Sequence, residues 1–149
     1  MSLTVYSAPT PSSGLSVDGA FTNPLRISFN GTTGAVKIFK YWVRNDDELV
    51  YYQDITVTPV STSDPNVVSN VNGFGWQLIA GDTEPLDDEW GLTSYGNTID
   101  ITDIGDPDTN DGETYLYIPF FARVTVPRLA DVYTYHNVTL RIAATENSF

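Results

Sequence analysis

A period-two alternation of apolar and polar residues from Pro24 to Thr58 restricts what this chain can form. The stretch reads PLRISFNGTTGAVKIFKYWVRNDDELVYYQDITVT. Leu25, Ile27 and Phe29 alternate with Arg26, Ser28 and Asn30, as in a strand with one buried face. Gly31 to Gly34 then turns the chain. From Lys37 to Arg44, Phe39, Tyr41 and Val43 share one face, and Ile38, Lys40, Trp42 and Arg44 the other. Asn45-Asp-Asp47 breaks the run, because short polar side chains bond to nearby backbone and tolerate turn conformations. Tyr52 to Thr58 alternates again, with Ile55 and Val57 opposed to Asp54, Thr56 and Thr58. Three successive strands follow from this pattern.

The remaining segments repeat the theme. Leu3 to Tyr6 is a short β-like piece interrupted by Pro9, Pro11 and Gly14, so residues 1–20 read as a strand or arm followed by a loop. The arm would pack on a neighbouring subunit, and the edge strand on its own sheet. Residues 21–149 read as one domain. Ser61 to Asn72 is a polar loop, and Gly73 to Ala80 a strand with Trp76 and Leu78 inward. Asp82 to Trp90 is the one helical turn. Pro85 suits its first turn, acidic residues favour the positive end of the helix dipole, and Trp90 would anchor it. Asn97 to Ile101 is a short strand. Tyr115 to Val126 is apolar, with Phe120, Ala122, Val124 and Val126 on one face; Pro119 in it marks an edge, a bulge or a strand start. Tyr135 to Ala144 closes the fold with Val138, Leu140, Ile142 and Ala144 inward. About eight or nine short strands separated by turn signals make an all-β sandwich or barrel.

Composition narrows the function. With 149 residues the chain suits a single domain with a sizeable core. A net charge of −12, from 19 acidic and 7 basic residues, argues against nucleic acid as a ligand. It suits a solvated acidic surface or docking on a basic partner. The chain has no cysteine, which excludes disulfides, thiol nucleophiles and zinc–thiolate sites and fits a reducing compartment. The first residues lack a basic segment and an apolar run, so no secretory signal is expected. No segment has the roughly 20 apolar residues of a spanning helix, and no membrane association is expected.

Few residues offer chemistry. His136 is the only histidine and carries no motif around it, so a structural or surface role is expected. Carboxylates at Asp46, Asp47, Asp87, Asp88, Glu89, Asp106, Asp108 and Asp111 are plentiful in loops, but abundance is not a site, and no enzymatic activity is expected. Asp106, Asp108 and Asn110 place oxygen ligands at alternate positions, as a calcium loop does. Against this, Gly112 comes one place late, Tyr117 stands where a bidentate Glu belongs, and the same residues suit a surface turn. Calcium is the only cofactor such a loop suggests. Tyr51, Tyr52, Tyr95, Tyr115, Tyr117, Tyr133 and Tyr135 are candidates for sugar stacking or protein interfaces. Asn30 and Asn137 begin glycosylation sequons, which carry no meaning without export.

The stretch from Asn23 to Val60, together with Trp76 to Gly91, Tyr117 to Pro127 and Val138 to Glu146, makes two segments that resemble Ig-like β-sandwich structural proteins of tailed-bacteriophage virions. The first runs from Asn23 to Val60, with the Arg44-Asn45-Asp46-Asp47 turn followed by Tyr51-Tyr52. The second joins WQLIAGDTEPLDDEWG, YIPFFARVTVP and VTLRIAATE. The resemblance implies an Ig-like antiparallel β-sandwich and a non-enzymatic virion part assembled in the host cytoplasm. Its partners would be the major capsid protein or other virion proteins, with self-association through symmetry. A capsid decoration (cement) protein is the expected role. A neck, tail or baseplate accessory protein and a carbohydrate-binding adhesin module are the alternatives.

Overall fold

The computed structural model describes residues 3–6, 35–45, 49–61, 68, 74–101, 104, 117–126 and 138–148. Within them the chain is an all-β sandwich of two antiparallel sheets with one short helix. The strands are β1 (Leu3–Tyr6), β2 (Ala35–Asn45), β3 (Val50–Ser61), β4 (Gly75–Ala80), β5 (Ile99–Ile101), β6 (Tyr117–Val126) and β7 (Val138–Ser148), and the helix is α1 (Asp87–Gly91). Sheet A has the order β1-β2-β6-β4, and sheet B the order β5-β3-β7. These seven strands are near the eight or nine expected. The strand read over Leu25 to Phe29 lies outside the described residues.

From β2 onward each successive strand changes sheet. The core therefore forms from alternate residues of facing strands. Leu3, Val5, Tyr41, Val43, Trp76, Leu78, Phe120, Ala122 and Val124 come from sheet A. They meet Tyr52, Ile55, Val57, Ile99, Ile101, Val138, Leu140 and Ile142 of sheet B. The faces read from the alternation in β2, β4, β6 and β7 are the faces observed. Tyr41 is flanked by the rings of Phe39 at 6.3 Å and Phe120 at 5.7 Å. Since β1 contributes Leu3 and Val5 to this core, it is a strand of its own sandwich. Its removal would take two core side chains with it.

The step from β2 to β3 is a corner between sheets. Asn45 ends β2, is fully buried, and donates from Nδ2 to the Val50 carbonyl at 2.9 Å. A turn residue was expected here; the structure shows why its amide is needed. Asn45→Ala leaves the Val50 carbonyl without this donor and lowers stability by about 1–3 kcal/mol, measured by urea unfolding.

Pro119 was expected at an edge, a bulge or a strand start. It lies inside β6, which is paired on both sides. The register explains the tolerance. β4 ends at Ala80 opposite Phe120, one residue short of Pro119. The Pro119 carbonyl accepts from the Gly81 N–H at 3.3 Å. Carbonyl and nitrogen of one strand residue point to the same side, so the missing N–H faces the end of β4 and not β2.

Burial also tunes one ionisable core group. It pushes the Tyr41 phenol well above its ordinary value of 10.0. The folded chain then keeps this proton at pH values where the unfolded chain releases it. The resulting stability is complete below about pH 10 and falls as pH rises further, by about 1.4 kcal/mol per pH unit for one proton. Tyr41→Phe removes that proton's share of the slope, which urea unfolding between roughly pH 9 and pH 11 would reveal.

Candidate functional site

The most elaborated surface is the outer face of sheet A, away from the core. Alternation puts Lys40 and Trp42 of β2, Phe121 and Arg123 of β6, and Gly75 and Gln77 of β4 on this face. In a sandwich open to water such positions would be exposed, yet Gln77 and Phe121 are buried. Residues 81–98 cover them as a strap that carries α1.

The strap is built on Trp90. The α1 sequence Asp87-Asp-Glu-Trp-Gly91 is too short to be stable alone, since an isolated helix needs roughly 12–15 residues. It is held by packing and caps. Trp90 is 0% exposed and lies apart from the main core cluster. The Leu86 N–H donates to the Glu89 carboxylate at 2.6 Å, and three acidic residues occupy the first turn. Pro85 is buried two residues before the first helical residue, earlier than its expected first-turn place. Beneath the helix, Gln77 Nε2 donates to the carbonyls of Trp90 at 2.9 Å and Thr93 at 2.8 Å. Gln77 Oε1, Trp90 Nε1, Arg123 Nε and Thr125 Oγ1 are buried without hydrogen-bond partners. Apolar burial and the Gln77 amide therefore fasten the helix.

The strap also seals the free edge of β4. Gly96 N–H donates to the Trp76 carbonyl at 2.6 Å, with Gly96 at a positive φ of 71°. The Asn97 amide then acts as a surrogate strand: its Oδ1 accepts from Leu78 N–H and its Nδ2 donates to Leu78 O, both at 2.8 Å. An edge closed in this way cannot template another chain. The Tyr95 ring packs against Gly75, where any Cβ would overlap it. Gly75→Ala must push Tyr95 aside and costs about 1–3 kcal/mol, and Gly75→Ala/Tyr95→Ala recovers most of it in a double-mutant cycle.

At the other end Lys40 clamps the strap. Its Nζ donates to the Asp82 carboxylate at 2.7 Å and to the Asp82 carbonyl at 3.1 Å. It also sits 5.3 Å from the Trp42 ring and 5.5 Å from the Phe121 ring. The Asp82 side chain is largely exposed, so Asp82→Asn lowers stability by no more than about 1 kcal/mol, an effect that shrinks further at high salt.

The outward side of the strap is both acidic and apolar. Glu84, Asp87, Asp88 and Glu89 are exposed. Leu86 is 67% and Leu92 91% exposed, and Tyr95 stands at the rim.

The residues singled out from the sequence are distributed differently. Tyr52 is a core residue and not a stacking platform. Tyr51 is half-buried and Tyr95 packs on Gly75. Asp87, Asp88 and Glu89 are exposed on α1. Asp106, Asp108, Asn110, His136, Asp46, Asp47, Asp111, Tyr115, Tyr133 and Tyr135 lie outside the described residues, as does the Tyr117 side chain. Among the described residues no three His, Cys, Asp or Glu side chains are grouped to hold a metal. Among those same described residues no helix is long and apolar enough to cross a membrane.

Comparisons with protein-family profiles, curated proteins and solved structures find no match. The leucines at the two ends of α1 were missed in the sequence because nothing in a five-residue helix separates anchoring from displayed apolar positions. The available signal was Leu86 and Leu92 on either side of a single tryptophan.

Proposed function

We propose that this chain is a non-enzymatic structural protein of a tailed-phage virion, a capsid decoration (cement) protein that binds the outer shell. The observation that carries the reading is where the resembling segments fall. They supply β2, β3, β4, β6, β7 and the helix of the strap, the frame of both sheets and the most elaborated surface among the described residues. A decoration protein requires a rigid frame and a contact surface instead of a reactive cleft. The described hydrogen-bonding side chains serve that frame: Asn45 joins the sheets, Gln77 fastens the helix, and Asn97 closes an edge.

The test mixes purified protein with empty, undecorated shells of the phage that encodes it and separates bound from free by sedimentation. Saturable binding at a fixed copy number per shell is expected. No binding would remove the shell role and turn the search to neck, tail and baseplate.

A further inference from the structure

We infer that the outward side of the strap, from Glu84 to Tyr95, is a docking surface for a protein partner that offers an apolar cleft bordered by Lys or Arg. The inference deepens the structural reading by naming the surface and the chemistry of what meets it.

Three observations converge on it. First, the exposed apolar side chains are in the wrong place for folding. Leu86 and Leu92 sit at the two caps of α1, roughly 9 Å apart along its axis, and both point to water. Trp90 already provides the apolar anchor between them. Two displayed leucines beside a fully used anchor contribute nothing to the fold that polar residues could not.

Second, the charge around them has one sign. Asp82, Glu84, Asp87, Asp88 and Glu89 fall between Gly81 and Gly91, and no Lys or Arg occurs from Gly81 to Asp100. Asp82 is met by Lys40, whereas among the described residues Glu84, Asp87 and Asp88 show no basic partner. This surface repels nucleic acid, an anionic membrane and a second copy of itself. Complementarity therefore selects a basic protein surface.

Third, the surface is held rigid before anything binds. Gln77, Asn97, Lys40 and Trp90 fix the strap at both ends and in the middle. Contacts displayed on an ordered element lose little conformational freedom on docking.

The test uses the full chain and two synthetic probes, an amphipathic Lys/Leu helical peptide and oligolysine, followed by backbone amide NMR shifts. The amphipathic peptide is expected to bind saturably, with shifts centred on residues 84–95. Leu86→Asp/Leu92→Asp adds negative charge yet removes the apolar contact, so it is expected to weaken this binding about tenfold or more. Its melting temperature should match the parent, because both side chains are exposed. Oligolysine should bind weakly and indifferently to the two leucines. Peptide shifts centred elsewhere, or undiminished binding by the double variant, would overturn the docking surface. Sedimentation with shells is read separately. Parent binding that the double variant keeps in full also overturns this surface and leaves the shell role standing. Absence of parent binding removes the shell role, and the peptide map still decides the surface.

Discussion

Trp90→Ala lowers the unfolding free energy by about 3 kcal/mol, the lower end of the range for truncating a buried large aromatic. The indole is completely buried, and its N–H has no hydrogen-bond partner. Its contribution is therefore apolar burial and packing, with no polar component to lose. The low end applies because the site lies under a five-residue helix on the outer face, where water can fill part of the space, and not within the main core. A loss of this size is a large share of the roughly 5–15 kcal/mol that holds a domain together. It corresponds to a fall in melting temperature of roughly 6–12 °C for a chain of this length. Trp90→Phe keeps the ring and has no hydrogen bond to lose, so it should cost about 1–1.5 kcal/mol. Urea unfolding of the two variants checks both values. Equal losses would mean that the indole's full shape matters more than its burial.

The same residue shows how far the sequence could be read. The DTEPLDDEW segment carries a helix-start pattern and a lone tryptophan, so both the turn and its anchor were legible. What the anchor packs against was not. That depends on which side of β4 meets the strap, and Gln77 appears in the sequence as one more polar residue facing water. Its burial comes from a segment that folds back over its own sheet. The strand faces were legible because alternation reports directly which side is buried. Sheet assignment was not, because β2 and β3 are successive in the sequence yet belong to different sheets. Alternation cannot specify the partner of a strand, and the buried Asn45 that makes the change looks like an ordinary turn residue. Pro119 shows a related limit: that its nitrogen faces a local edge, past the end of β4, is a fact of register.

Function was less legible than fold. Loop carboxylates and exposed aromatics gain chemistry only from what surrounds them. The strap's display of Leu86 and Leu92 depends on Trp90 having turned inward, which a five-residue helix cannot announce by periodicity.

Tyr52→Ala is expected to cost about 4 kcal/mol, the largest loss at any position considered. Strict alternation with Asp54, Thr56 and Thr58 would place Tyr52 on the polar side of β3, available for stacking on a ligand. The observed strand breaks alternation. Asp54 takes a positive φ of 53°, and the pairing with β7 shifts register between Gln53 and Thr56. The extra residue reverses the facing order, so Tyr52 points inward with Ile55 and Val57. Its backbone pairs with Ile104, the N–H donating at 2.9 Å and the carbonyl accepting at 3.0 Å. Its hydroxyl donates to the Glu146 carboxylate on β7 at 2.7 Å. Truncation thus empties a large core volume and strips a carboxylate of a donor. Tyr52→Phe separates the two effects, because it retains the ring and loses only the charged hydrogen bond, about 1.5–3 kcal/mol. Glu146→Gln replaces the carboxylate but keeps an acceptor, so it should cost less than Tyr52→Phe. If Tyr52→Ala cost no more than Tyr52→Phe, the ring would not be a core element, and the bulge at Asp54 would not have the packing role that explains it.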